Sequence, residues 1–237
     1  MKCGFRFFLF LVIALSFSSI NVFAQGASRE DLLKETESRR EELLSLEKKL
    51  LAPSDEDRTA YASLLRQPDT GIIRLIPREN KLTIGGAYYS FSRLTHEYGY
   101  GSDIELQLDF LSVGFAGADF GMLTNLGDVP LEDLVLEQPA LRFLAGYEPP
   151  LREPDARAEA RRVGEGLTVE GMSFRNRLPV EVKSTYLLRS INYDRADVFV
   201  AFRIVRKDVD RSIVIVWKLL KKYPKPELAR SNQQVRD

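Results

Sequence analysis

The only histidine of the chain, His96, lies in the segment SRLTHEYGYGSDIELQLDF, which spans residues 92–110. Its neighbours include two tyrosines, Tyr98 and Tyr100, and a carboxylate, Asp103. Glycine and serine residues between them give this stretch the composition of a turn after a strand. The same composition suits a recognition loop and a structural turn at the rim of the core.

Exposed tyrosines favour recognition, because tyrosine offers a large contact area at low entropic cost and a polar tip. On this interpretation the binding residues are His96, Tyr98, Tyr100 and Asp103, and the partner is an unknown protein or a glycan. On the structural interpretation, the two tyrosines cover the edge of the core and His96 bonds a backbone carbonyl.

Carboxylates close to this loop suggest a second function. Glu97, Asp103 and Asp119 lie in one part of the chain and alternate with aromatic residues. Two carboxylates beside a stacking surface are what a glycosidase needs, so a carboxylate-dependent hydrolase acting on a glycan is the alternative. Carboxylates that alternate along a strand more often lie on its solvent-exposed face than in a catalytic site. We therefore prefer a non-catalytic binding or scaffolding module.

Familiar catalytic and metal motifs are incomplete. His96 and Glu97 begin like the zinc-protease helix motif, but Tyr100 stands where the second histidine must be. The tripeptide at residues 119–121 reads like the metal-binding Asp-Phe-Gly of kinases, yet its companion motifs are missing from the sequence. We therefore predict neither a metal ion nor a cofactor.

The amino terminus predicts export. Basic residues in MKCGFR precede the apolar run FFLFLVIALSF, and the segment 1–24 ends in Val22-Phe23-Ala24. This is the layout of a secretory signal peptide, so we expect cleavage near Ala24 and a secreted or periplasmic protein. The apolar run is shorter than the roughly 20 residues of a spanning helix, which argues against membrane insertion after cleavage. An uncleaved anchor is the alternative.

Removal of this segment also changes the cysteine count and the charge. Cys3 is the only cysteine, so the processed chain would have no disulfide and no thiolate nucleophile. The chain carries 34 basic and 34 acidic residues. Since Lys2 and Arg6 lie in the signal, 32 basic residues would remain against 34 acidic ones. This balance does not predict a nucleic-acid partner, which requires a clustered basic face.

Residues 25–68 predict a helical arm of two helices. Ser28 and Asp31 suit a capping box at the start of the first, which should run to Ala52. Its second half carries a short apolar stripe with a/d-like spacing: Leu43, Leu46 and Leu50. The stripe is too short to predict a coiled coil, so we expect the helix to pack on its own domain, with a homo-oligomer through this helix as the alternative. Ser54 should cap the second helix.

Residues 69–223 predict a β-rich domain. In DIELQLDF, the apolar residues Ile104, Leu106, Leu108 and Phe110 should share one side, with Glu105, Gln107 and Asp109 in solvent. The apolar phase changes at Leu111, where we expect a bulge or a tight turn. Residues 117–166 read as a surface connection without a core of its own.

The last third predicts a three-stranded antiparallel meander, VEVKSTYLLRSINY, ADVFVAFRIVRK and SIVIVWKLLKKY, joined by short polar turns. Residues 224–237 contain two prolines and predict a loose tail. The predicted fold class is therefore α+β: a helical arm followed by a mostly antiparallel sandwich or bent sheet, with a barrel as the alternative.

Overall fold

The structure is a computed structural model that describes residues 28–82, 85–96, 101–134 and 137–229. Helices at the amino-terminal end are followed by mostly antiparallel sheets, which confirms the predicted α+β class. The chain divides into two compact units, residues 1–40 and 41–237. No helix among the described residues is both long and apolar enough to cross a membrane.

Both predicted helix starts carry capping boxes. In α1 (Arg29–Leu51), the Asp31 amide donates to Ser28 Oγ at 3.1 Å, and the Ser28 amide donates to Asp31 Oδ2 at 3.2 Å. Ser54 caps α2 (Asp55–Ala60) in the same way through Asp57. Each box satisfies two amides that the helix itself leaves unbonded. The predicted second helix is interrupted at Tyr61, and α3 (Ala62–Leu65) follows as a separate turn.

The main sheet has five antiparallel strands. They are β1 (Thr70–Leu75), β5 (Phe120–Gly127), β9 (Thr185–Asn192), β10 (Ala196–Lys207) and β11 (Ile213–Tyr223), in the spatial order β1-β11-β10-β9-β5. The last three form the predicted meander, with β10 paired to β9 on one side and to β11 on the other. Short turns permit only antiparallel neighbours, which is why the sequence predicts this part well.

A second sheet has four short strands. They are β2 (Tyr88–Tyr89), β3 (Ile104–Gln107), β4 (Phe110–Ser112) and β8 (Arg177–Pro179), in the spatial order β2-β3-β4-β8. A separate hairpin is formed by β6 (Leu167–Val169) and β7 (Met172–Phe174). The two larger sheets share one core, so this part of the molecule is a sandwich.

Trp217 lies near the centre of the core between the two sheets and is only 5% exposed. Its ring centroid is 5.4 Å from that of Phe91 and 6.4 Å from that of Tyr89. Gly71 on the neighbouring strand makes room for the indole, since a Cβ there would lie 2.5 Å from a ring carbon. Apolar side chains that alternate along the two strands point into this core, Phe202 and Ile204 from β10 and Ile215 and Trp217 from β11.

A second core lies on the other face of the five-stranded sheet. The helices α4 (Pro139–Gly146) and α5 (Glu153–Glu165) contribute Leu144 and Val163 to it, and the sheet contributes Phe199. The expectation that residues 117–166 form only a surface connection is therefore wrong. The region looks polar because α5 buries only a narrow stripe of small residues and keeps its charged residues in water.

The predicted alternation in DIELQLDF fails after Gln107. The chain reverses at Leu108, whose φ is 52°, so Leu108 and Phe110 are exposed instead of sharing the inward side. Glu105, expected in solvent, is buried, and it accepts hydrogen bonds from Tyr88 Oη at 2.7 Å and Arg78 Nη1 at 3.1 Å. Glu105 lies on the face of β3 opposite to Ile104 and Leu106, as the alternation predicts, but other side chains cover it there, which hydrophobic periodicity alone could not predict.

Residues 224–229 are held against the domain, whereas the sequence assigns them to a loose tail. The Asp194 amide donates to the Pro226 carbonyl at 2.8 Å, and the Leu228 amide donates to Asp194 Oδ1 at 3.0 Å. The Ala229 amide donates to the Leu151 carbonyl at 2.8 Å. Partners far apart in sequence make these bonds, so local composition could not predict them.

Truncation of the buried indole tests this packing. We expect Trp217→Ala to lower the free energy of unfolding by about 3 to 5 kcal/mol, because a large aromatic side chain leaves a cavity. Urea unfolding followed by circular dichroism measures the loss. Val209→Ala, at the fully exposed tip of the β10–β11 turn, is the control and should change stability by less than about 0.5 kcal/mol. A Trp217→Ala loss as small as the control's would contradict the packing described above.

Candidate functional site

Asp103 joins the two sheets and is wholly buried. Its Oδ2 accepts the Phe91 amide at 2.7 Å, and its Oδ1 accepts Asn192 Nδ2 at 2.9 Å. Asp103 precedes β3 of the small sheet, while Asn192 ends β9 of the large one. Burial raises the pKa of the Asp103 carboxyl to about 6, against the effect of hydrogen bonds from Ser190 and from nearby backbone amides. The carboxylate is enclosed by its own donors and does not face a cleft.

His96 bonds the main sheet through a backbone carbonyl. Its Nε2 donates to the Arg74 carbonyl oxygen at 2.9 Å, and its ring centroid lies 5.1 Å from that of Tyr89. Burial lowers the pKa of the imidazole below its ordinary value, and the bond to Arg74 opposes this effect. The carbonyl contact is the one expected if this histidine has a structural role.

Asp119 lies in a different environment from Asp103. It accepts the Tyr193 amide at 2.8 Å and lines a pocket of about 190 Å³ with Glu153 and Arg195. The two aspartates thus hold consecutive residues of the β9–β10 turn, Asn192 through its side chain and Tyr193 through its backbone. Because Asp103 is enclosed between the sheets, the carboxylates of Asp103 and Asp119 do not face a common cleft.

The remaining predicted site residues, Glu97, Tyr98 and Tyr100, lie outside the described residues, and their roles stay predictions. Among the residues that the structure describes, no three His, Cys, Asp or Glu side chains are grouped as a metal ion would require.

A buried ion pair that sequence reasoning missed lies on the helix side of the main sheet. Arg189 and Asp197 have side chains only 1% and 2% exposed. Arg189 Nε donates to Asp197 Oδ1 at 2.5 Å and Nη2 donates to Oδ2 at 2.8 Å, while Nη1 donates to the Leu144 carbonyl at 2.8 Å. Two parallel bonds of this kind fix both the distance and the plane of the guanidinium group.

The sequence does contain a signal for this pair. Arg189 interrupts the apolar run of β9, and Asp197 follows the turn at the start of β10. The observed register pairs Arg189 with Phe199 and Asp197 with Ile191, so the two charges are diagonal neighbours on one face. The predicted meander therefore allowed the pairing to be inferred.

Tyr223 covers the guanidinium group. The Cζ of Arg189 lies 3.2 Å from the Tyr223 ring centroid, in a cation–π arrangement. The Tyr223 hydroxyl donates to the Ala145 carbonyl at 2.7 Å, which ties the end of β11 to the end of α4. Burial raises the pKa of this phenol above its ordinary value, and Arg189 opposes the shift. Arg189, Asp197 and Tyr223 thus form one contiguous buried unit.

A cleft of about 640 Å³ opens above this unit. One wall is formed by residues 145–149 and 151 and the other by residues 221 and 223–227, and the Tyr223 ring lies over the almost fully buried Arg189–Asp197 pair at the floor. The walls contact each other through the Tyr223–Ala145 hydrogen bond, and their backbones pair beyond the cleft, at the parallel bridge between Arg152 and Ala229.

Prolines explain why the walls remain apart. Pro149, Pro224 and Pro226 line the cleft, and proline has no amide hydrogen to donate to a neighbouring strand. The residue before a proline is also biased towards extended backbone. The rim carries both signs of charge, with Lys221 and Lys225 on the same wall as Glu227, and Glu148 opposite.

No protein-family model, curated protein or solved structure matches this chain. Its function must therefore be argued from the geometry of the cleft and of the buried polar residues.

The buried Asp103 carboxyl predicts a pH dependence of stability. Because its pKa is raised from 3.8 to about 6, the folded state binds more protons than the unfolded state between these values. The stability that this group contributes is thus present below about pH 4 and lost as the pH rises through 6. We expect the unfolding free energy of the wild type, minus that of Asp103→Asn, to fall from pH 4 to pH 7, because only the wild type titrates at this position. Urea titrations at several pH values measure it, and a constant difference would contradict the raised pKa.

Proposed function

We propose that this chain is an exported, non-catalytic binding module, and that its ligand lies in the cleft above Arg189 and Asp197. One observation carries the proposal: a cleft of about 640 Å³ stands on a floor whose charged groups are fixed by each other. Ligand sites commonly have volumes of about 300 to 1,000 Å³ and combine apolar walls with a few fixed polar groups.

The chemistry of the floor supports binding more than hydrolysis. Both Asp197 oxygens accept hydrogen bonds from Arg189 and the side chain is only 2% exposed, which argues against Asp197 as a general acid or base. Asp103, a candidate for the alternative glycan hydrolase, is enclosed between the sheets. The hydrogen bonds between Arg189 and Asp197 instead favour binding, because they hold the floor of the cleft in one arrangement and a preformed site lowers the entropic cost of association.

The walls favour an extended peptide segment of a partner protein as the ligand. Pro149 and Pro224, on opposite walls, have carbonyl oxygens but no amide hydrogens, whereas the Pro226 carbonyl already accepts the Asp194 amide. An extended peptide presents amide hydrogens along its length, and pairing of this kind supplies much of the affinity when peptides add to exposed backbone. The mixed charges of Lys221, Lys225, Glu148 and Glu227 at the rim suit a ligand that itself carries both signs.

Filling the cleft tests the proposal without disturbing its floor. Gly146 lines the cleft, and a Cβ there would meet no atom within 4 Å, so Gly146→Trp should fold normally and obstruct the site. Peptides that bind the wild type on an array should bind this variant at least about tenfold more weakly when measured by fluorescence polarisation, equivalent to about 1.4 kcal/mol. Peptide binding that is unchanged in Gly146→Trp would contradict the cleft as the site.

Gly164→Trp is the matched control, since Gly164 lies in α5 away from the cleft. It should bind peptide within about twofold of the wild type, a change below about 0.5 kcal/mol. A glycan array run in parallel separates the ligand classes. A glycan whose binding is lost in Gly146→Trp but kept in Gly164→Trp would overturn the peptide and retain the cleft.

Export is part of the same proposal and rests on the composition of residues 1–24, which lie outside the described residues. We expect protein purified from an export-competent host to begin near Gln25 when its amino terminus is sequenced. A chain that begins at Met1 and sediments with the membranes would show that the segment is an anchor.

A further inference from the structure

The second half of α1 exposes three leucines to water. Leu43, Leu46 and Leu50, here called the leucine seam, are 45%, 51% and 58% exposed. All three lie in the second compact unit, residues 41–237. The same helical turns bury Glu47 and Leu51 on another side of the helix. The seam therefore lies beside the buried side of this part of α1, and packing among the residues that the structure describes does not account for its leucines.

The spacing of the seam is that of a helix–helix contact. Leu43, Leu46 and Leu50 stand three and four residues apart, as the a and d positions of a heptad do. Glu42 and Lys49 both precede an a position by one residue, so they flank the same edge of the seam one heptad apart. Both are exposed, and their charges are opposite.

This charge pattern is self-complementary under a two-fold axis. In a two-fold symmetric dimer both copies contribute the same surface. A residue that precedes the axis in one copy therefore contacts a residue that follows the axis in the other copy. If two α1 helices cross antiparallel with the axis near Leu46, Glu42 of each copy lies beside Lys49 of the other. A parallel pair would instead bring Glu42 towards position 47, where Glu47 is buried on another side of the helix and no opposite charge lies at the edge of the seam.

We propose that a second copy of this chain covers the leucine seam, with the two α1 helices antiparallel. From Leu43 to Leu50 the seam covers about 10 Å of helix at 1.5 Å per residue. So short a contact forms a weak dimer that populates at high protein concentration. The proposal does not depend on the cleft, because the two surfaces share no residue.

Sedimentation equilibrium tests the association. We expect the wild type to dimerise at about 100 µM and Leu46→Arg to remain monomeric there, because the new charge would be buried at the axis. Val209→Arg is the control: it puts the same side chain on a fully exposed position of the β10–β11 turn and should dimerise like the wild type. A monomeric wild type, or a Leu46→Arg variant that dimerises equally, overturns the proposal. Urea midpoints establish that each variant is folded.

Charge exchange tests the pairing. Glu42→Lys and Lys49→Glu should each weaken dimerisation several-fold, because each places like charges together at the edge of the seam. The double variant restores opposite charges and should recover the wild-type association. Failure of this recovery overturns the pairing of Glu42 with Lys49.

Cross-linking tests the orientation. In a Cys3→Ser background an introduced cysteine is the only thiol of the chain. Leu46→Cys, at the axis, should then form a disulfide-linked dimer much faster than Leu43→Cys, which the antiparallel arrangement places apart from its own counterpart. Equal rates for the two variants are the result of a parallel pair and overturn the antiparallel one.

Discussion

Strand β9 is buried along its whole length, and this burial constrains the rest of the domain. One face of the strand meets the small sheet and the other meets α4 and α5. A polar side chain on either face must therefore find a partner within the protein, because an unpaired one would cost several kcal/mol. Arg189 finds Asp197 on the helix side, and Asn192 finds Asp103 on the sheet side.

These two pairings fix the relative positions of layers that apolar contacts alone would hold together without one defined position. The Asn192 side chain fixes the start of β3 against the end of β9, so the sheets have one relative position at this edge. Arg189 binds a carbonyl at the end of α4 and lies under Tyr223 at the end of β11. Directional bonds of this kind select one arrangement among the several that would bury similar apolar area. The bonds of Arg189 also hold the floor of the cleft in place.

The proposed binding site and the proposed dimer surface depend on different physical effects. The cleft exists because prolines in two neighbouring segments prevent them from closing into a strand pair. The leucine seam exists because residues 41–51 of α1 bury Glu47 and Leu51 on one side and carry exposed leucines beside it. A module with both features would present its ligand site on two copies of the domain, which raises avidity for a partner that repeats its peptide.

Local patterns in the sequence determined the helix starts, the meander and the burial of Trp217, because capping boxes, short turns and alternating side chains act over a few residues. Only the tertiary structure decided that Glu105 and Asp103 lie inside, because their partners come from segments distant in sequence. The same holds for the second core under α5 and for the bonds that hold residues 224–229. The cleft also belongs to this group. Its two walls are about 75 residues apart in sequence, and only the register of β9, β10 and β11 brings them together over one ion pair.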